Sequence, residues 1–190
     1  MQTLINEYAR AGILQLGRFQ QPDGSFHPLS ANFLMLPSYP ALMRKTAQAL
    51  VPMLHSTHAD RLLTTRAAIP LGAVLAVESD IPLTYPYGEA KDYTIAYTIE
   101  GAYDVGHPTT LLIDVLTTPT EAMTLIKQAR QVGLVVQQVI AVLALGRWQE
   151  PTIGFHALFD FDALVAGLAD RLTEELHDQL RKWHTDYLNA

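Results

Sequence analysis

The 190-residue chain contains no cysteine. Disulfides, thiolate nucleophiles and zinc–thiolate sites are excluded together, which fits a reducing compartment. Cations are scarce as well: 13 Lys and Arg stand against 19 Asp and Glu, a net charge of −6, with no basic run. That balance argues against a nucleic-acid partner, and an anionic ligand would need local positive charge that the chain as a whole does not supply. No apolar run approaches the roughly 20 residues that span a bilayer, and residues 1–10 lack the basic start and apolar centre of a leader. The expectation is a soluble, cytoplasmic protein without membrane contact. A Gly-x-Ser-x-Gly elbow, a glycine-rich Walker loop and a His-Glu-x-x-His helix are missing too, so hydrolase and P-loop readings find no support. The seven histidines are scattered, His55 and His58 being only a loose pair; no metal site of the protein's own is expected.

What is present reads as one ordered domain. Hydrophobic residues make up 49% of the chain, with Gly and Pro dispersed, and the length suffices to bury a substantial core. Leu4, Ile5, Tyr8, Ala11 and Ile13 predict an amphipathic first helix over 2–14, with Gly12 and Gly17 at its exit. Pro22-Asp23-Gly24-Ser25, between Phe19 and Phe26, predicts a hairpin turn. Pro40 opens a second helix running to about Leu54. From Asp60 onward short apolar strands alternate with helices: strands at 61–64, 81–85, 109–115 and 134–145, helices at 68–77 and 121–132. Such alternation predicts an α/β fold with a mainly parallel central sheet and helices on both faces. Residues 160–188, with Phe161, Leu164, Leu168, Leu172, Leu176, Leu180 and Trp183 in one stripe, read as one closing helix that packs on the core or on a second copy.

The most informative stretch is 109–124, Thr-Thr-Leu-Leu-Ile-Asp-Val-Leu-Thr-Thr-Pro-Thr-Glu-Ala-Met-Thr. A buried strand delivers one acid, Asp114, into a hydroxyl-rich turn and a helix start. In open α/β sheets ligands sit beyond the carboxyl ends of strands, where helix N–H groups favour anions. Asp114 is a candidate for ribose hydroxyls or Mg²⁺, though a strand-end Asp also serves simply to cap a turn. Thr118-Pro119-Thr120-Glu121 also fits a capping box: Thr118 as N-cap, Pro119 first, Glu121 reaching back to the Thr118 N–H. In that arrangement Pro119 offers no N–H and Glu121 sets a carboxylate where a phosphate would go. Arg147 either clamps a carboxylate in bidentate fashion or stacks on Trp148 and pairs with Glu150.

The 109–124 stretch resembles the phosphoribosyl-pyrophosphate (PRPP) motif of type I phosphoribosyltransferases, and the likeness extends along nearly the whole chain toward the orotate phosphoribosyltransferases. Its carriers are Ala11-Gly12-Ile13-Leu14-Gln15-Leu16-Gly17-Arg18-Phe19, Ser38-Tyr39-Pro40, Ile69-Pro70-Leu71-Gly72 and Ile99-Glu100-Gly101-x-Tyr103-x-x-Gly106. The resemblance implies a single domain over 1–190, in which 1–37 contributes to a small N-terminal hood, 38–159 forms the core and 160–190 the C-terminal helix. It implies transfer of a phosphoribosyl group from PRPP to orotate, giving orotidine 5′-monophosphate and pyrophosphate, with Mg²⁺ accompanying PRPP. It further implies a homodimer and a small anionic nucleotide or phosphoribosyl ligand. On this likeness Asp114, Thr117, Thr118 and Thr120 hold the phosphoribosyl group, Lys91 and Asp114 serve catalysis, Lys91 neutralising pyrophosphate, and Arg147 orients the base.

Several family features are replaced. Ile113-Asp114 stands where the family has two acids, and Thr117-Thr118-Pro119-Thr120 stands for a Thr-Thr-Gly-Gly-Ser-like loop. Lys91 alone survives from a flexible loop that carries Arg-Lys-x-x-Lys-x-His-Gly in the family, and Gln15 replaces an early lysine. The pyrophosphate loop reads Leu63-Thr64-Thr65-Arg66-Ala67-Ala68, with Arg66 a substitute cation or a surface ion-pair partner. Because the transfer is electrostatic, relying on cations to neutralise the departing pyrophosphate, the expectation is a catalytically impaired or inactive relative. The alternatives are an active transferase of divergent substrate, or a regulator that binds a nucleotide or a protein.

Overall fold

The computed structural model of the protein describes residues 2–20, 24, 26–87 and 99–189. Helix α1 (Gln2–Arg10) turns Ile5 and Tyr8 inward. It stops before Gly12, whose φ of 72° a residue with a Cβ would adopt only under strain. Strands β1 (Leu14–Gln20) and β2 (Phe26–Ala31) then pair antiparallel, Leu14 opposite Ala31 and Gln20 opposite Phe26. The Arg18 guanidinium lies 3.9 Å over the Phe26 ring and helps hold the pair. Of the turn signal between them, residues 21–23 and 25 lie outside the described ones.

Helix α2 (Pro40–His55) begins on a proline, whose fixed φ and missing N–H suit a first helical turn, and buries Leu42, Met43, Ala47, Leu50 and Leu54. The central sheet follows, ordered β5-β4-β3-β6-β7-β8. Its strands are β3 (Arg61–Thr64), β4 (Leu83–Pro86), β5 (Ile99–Glu100), β6 (Pro108–Leu116), β7 (Val135–Ala144) and β8 (Gly154–Asp160). All neighbours are parallel except β5, which runs antiparallel to β4. Helix α3 (Ile69–Ser79) links β3 to β4, and α4 (Thr120–Gln131) links β6 to β7. Alternation along the strands sends side chains to two cores. Leu62, Leu112, Ile140 and Val142 meet α1, α2 and α3 on one face. Leu63, Leu111, Ile113 and Val139 meet Ala122, Leu125, Ile126 and Ala129 of α4 on the other. The α/β architecture expected from the sequence, mainly parallel with helices on both faces, is the one observed.

The C-terminal region differs from its sequence reading. In place of one helix over 160–188 the chain forms the end of β8, α5 (Phe161–Gly167), a 3-10 turn (Ala169–Arg171) and α6 (Glu174–Asn189). Asp160 is extended and its carboxylate accepts the Ala163 N–H at 2.7 Å, so α5 starts there. Gly167 presses on Ile5 where a Cβ would collide. Leu172 returns to extended dihedrals, and the Thr173 hydroxyl accepts the Leu176 N–H at 3.3 Å as α6 begins. The apolar spacing runs through this break without a change of phase, so periodicity alone conceals it. No helical pattern precedes strand β8, so the sequence does not announce it. Parallel neighbours ordinarily need a helical crossover; here Trp148 fills that place, stacked on Phe155 at 5.7 Å with its Nε1–H donating to the Glu150 and Ile153 carbonyls.

Tyr8 joins α1, α2 and β8. Its ring meets Phe33 and Phe159 edge-on at 5.3 and 6.1 Å. Thr46 gives its hydroxyl hydrogen to the Leu42 carbonyl at 2.8 Å, so the Tyr8 O–H donates to Thr46 at 2.7 Å. Burial pushes the phenol far above its ordinary range and keeps it neutral. Tyr8→Phe is expected to cost about 1 kcal/mol, a fall of about 2–4 °C in thermal midpoint for a chain of this size, measured by calorimetry; an unchanged midpoint would deny the bond its role.

Candidate functional site

β6 positions the site: it pairs with β7 from Pro108 to Leu116 but with β3 only over Thr109–Leu112, so its carboxyl end from Ile113 on runs past β3. Its end is held by the neighbouring backbone: the N–H groups of Leu145 and Gly146 both donate to the Leu116 carbonyl at 2.9 Å. Gly146 has to lack a side chain, since a Cβ there would overlap the Thr117 carbonyl. The turn after β6 is thereby fixed against the turn after β7. Asp114 lies just before this clamp, on the opposite face of the strand from Ile113. Burial raises its carboxyl above the ordinary carboxylate range, while the Val115 N–H and its own N–H donate to it and hold part of that rise back.

Thr117, Thr118 and Thr120 are exposed around the helix start. The capping box expected here does not form. Pro119 already has helical dihedrals (φ −71°, ψ −8°) and its carbonyl accepts the Met123 N–H at 2.8 Å, so the boundary falls on a residue without a capping group. No side chain caps α4, and Glu121 does not return to the Thr118 N–H. The freed Glu121 side chain lies instead between two cavities. One, of about 300 Å³, is lined by Thr117, Thr118, Thr120 and Glu121 over Ile113 and Val115. The other, of about 330 Å³, lies between the end of β3 and α4, with Thr65, Arg66, Pro86, Glu121 and Gln128 in its wall. Partial burial raises the Glu121 carboxyl, and the Asp114 charge adds to the rise.

The second cavity borders the loop after β3. Thr64 and Thr65 are 0% and 2% exposed, and neither hydroxyl has a hydrogen-bond partner among the described residues. Arg66 is exposed and forms no ion pair with a described residue. Arg147, directly after the clamp, is likewise exposed and unpaired among them. Of its two alternatives, the contact with Trp148 and Glu150 is not made: the indole stacks on Phe155, and Glu150 accepts from the backbone N–H and the hydroxyl of Thr152. Lys91 lies outside the described residues. Among the described ones no group of three or more His, Asp or Glu is placed to hold a metal, and no helix is long and apolar enough to cross a membrane.

Helix α6 brings to the site residues that the sequence does not mark for it. The Tyr187 hydroxyl lies within hydrogen-bonding reach of the Thr117 side chain, and burial raises its pKa while that contact opposes the rise. His184 stacks on Phe161 at 3.8 Å, its Nε2 2.8 Å from the Leu145 carbonyl. His27 of β2 sits 5.1 Å from Trp183 and 5.8 Å from Tyr187, ring to ring. The aromatic pair Trp183 and Tyr187, one helical turn apart, was the available signal, but nothing local told where it would dock.

An orotate phosphoribosyltransferase from Natronomonas pharaonis is 27% identical to the chain over 179 residues, covering 90% of this chain and 98% of the relative. Among solved structures, the orotate phosphoribosyltransferase of Francisella tularensis superposes with a TM-score of 0.74 at 17% identity, over 97% of this chain and 95% of that one. A UMP synthase from Leishmania donovani gives a TM-score of 0.83 at 22% identity, over 97% of this chain but 42% of the larger protein. No family model matches the sequence. With the strand order and the acid-plus-threonine turn after β6, these likenesses define a protein of the type I phosphoribosyltransferase fold. Within that class the chain is orotate phosphoribosyltransferase-like.

The raised Asp114 carboxyl fixes a sign for stability. Asp114 holds its proton more tightly folded than unfolded, so its protonation favours the fold, and that contribution is lost as pH rises from the ordinary aspartate range through the raised folded value. Asp114→Asn is therefore expected to melt higher than wild type at pH 7. The gap should close below the ordinary carboxylate range; calorimetry across pH 3–8 checks both, and a variant melting lower at pH 7 would refute the assignment.

Proposed function

We propose that the chain keeps an orotate phosphoribosyltransferase-like ligand site but does not transfer a phosphoribosyl group at an enzymatic rate. The observation that carries this reading is the shortage of positive charge at the site: among the described residues Arg66 and Arg147 are the exposed, unpaired cations at the ends of β3 and β7, while the Glu121 carboxylate lines the cavity under the threonine turn. Magnitudes show which deficit decides. A phosphate charge about 5 Å from a carboxylate is repelled by about 3 kcal/mol at an effective dielectric of 20. Glu121 is exposed, and solvent screening reduces that to about 1 kcal/mol, a fivefold loss of affinity. Repulsion alone weakens binding; it does not abolish turnover. Turnover fails because the chemistry needs cations. Departure of pyrophosphate from an oxocarbenium-like ribose depends on preorganised positive charge, and Arg66 and Arg147 are the unpaired cations that the described residues bring to the ends of β3 and β7.

In this reading Asp114 accepts from ribose hydroxyls, Thr117, Thr118 and Thr120 surround the ribosyl end, and Arg147 meets a carboxylate or carbonyl on the base side. Lys91, from a segment outside the described residues, supplies charge toward a pyrophosphate. Mg²⁺ would accompany PRPP, but a single partly buried acid with backbone donors fits sugar hydroxyls better than a metal, and no step here depends on the ion. The likeness also supports a cytoplasmic homodimer, and sedimentation near twice the 21.0 kDa chain mass would agree with it. One observation favours the alternative of an active transferase with a divergent substrate: Arg66 and Arg147 lack partners among the described residues. Calorimetry with PRPP and Mg²⁺, followed by an assay for orotidine 5′-monophosphate, separates the two. The expected result is PRPP affinity no better than millimolar and no product above background; micromolar binding with turnover would assign the chain as an active enzyme.

A further inference from the structure

We propose that His184 is a positioning residue for Arg147, holding the peptide unit from which the chain leaves β7 toward that arginine. The inference rests on the ligand site assigned above, in which Arg147 meets the base. Gly146 stands directly before Arg147, and it has to be glycine because a Cβ there would overlap the Thr117 carbonyl. The same lack of a Cβ makes it the loosest link in this stretch, able to turn Arg147 in many directions. A restraint from outside the strand is needed.

That restraint acts on the peptide unit joining Leu145 to Gly146. A peptide is planar, so its C=O and N–H move as one body. The Gly146 N–H donates to the Leu116 carbonyl at 2.9 Å, and the Leu145 carbonyl lies 2.8 Å from His184 Nε2. The plane is pinned from opposite edges, by β6 on one side and by α6 on the other. A carbonyl can only accept, so His184 carries a hydrogen on Nε2. Leu145 lies past the last β7–β8 pair, Ala144 with Asp160, so the sheet offers its carbonyl no strand donor and the imidazole supplies one. The imidazole is itself held flat against Phe161, ring to ring at 3.8 Å and 13°. Phe161 is buried and opens α5, whose start the Asp160 carboxylate fixes. His184 thus carries the rigidity of the β8–α5 junction across to the peptide that aims Arg147.

Orotate and uracil, which differ by the carboxylate alone, test the assignment by nuclear magnetic resonance titration at millimolar concentration. Wild type is expected to favour orotate about fivefold, the worth of one partly exposed guanidinium–carboxylate pair. Arg147→Gln should abolish that preference. His184→Phe, which keeps the stack and removes the donor, should reduce it to within about twofold, and combining the two should lower it no further than Arg147→Gln alone. His184→Gln, which keeps an N–H donor, should retain it. Without ligand, His184→Phe should speed hydrogen exchange of the Gly146 amide about fivefold relative to the Val139 and Ile140 amides, and the imidazole nitrogen shifts of wild type should place a hydrogen on Nε2. The inference is overturned if His184→Phe keeps the preference that Arg147→Gln loses, if His184→Gln loses it as fully as His184→Phe, if Gly146 exchange is unchanged, or if the hydrogen sits on Nδ1 alone. A preference missing from wild type, or surviving Arg147→Gln, would instead defeat the reading of Arg147 itself and this inference with it.

Discussion

The pairing of β6 with β7 and its closure at Leu116 is the constraint on which the site depends. Two backbone N–H groups from the end of β7 converge on one carbonyl of β6, and the approach is possible only because residue 146 has no side chain. The clamp fixes three things at once: where the strand stops, where Thr117 begins the turn, and how far Arg147 stands from that turn. Asp114, two residues before the clamp, owes its half-buried position to the same geometry. A site of this kind needs no dedicated scaffold, since it follows from where a two-sided buried strand runs out of partners.

Glu121 shows how a small shift in a helix boundary changes what a side chain does. A capping box would have turned its carboxylate back on the chain, a local and chemically silent role. With Pro119 already helical, the carboxylate instead faces two cavities and the Asp114 charge. The electrostatic character of the site is thus set by one dihedral decision at a proline, made before any ligand arrives.

Much of the fold was legible because its signals are local. Val- and Ile-rich runs such as 134–145, a proline at residue 40 and alternation of strand and helix patterns report on short windows, and the parallel sheet follows from them. Asp114 and the threonine turn were legible for the same reason, lying within one strand–turn–helix unit. What escaped depends on docking. β8 is announced by no helix, because Trp148 replaces the crossover with a single ring. The breaks at Gly167 and Leu172 keep the apolar phase. Tyr187 reaches the site only through the packing of a distant segment, and the contest between a cap and a cavity for Glu121 turns on a ψ angle that residue types do not encode.

Helix α6 grips three bodies together: His27 of the β1–β2 hairpin through Trp183 and Tyr187, the turn after β6 through Thr117, and the end of β7 through His184. These contacts gear the hairpin to the turn. Trp183 and Tyr187 both touch His27 while Tyr187 also reaches Thr117, so the hairpin and the turn bear on one side chain, Tyr187.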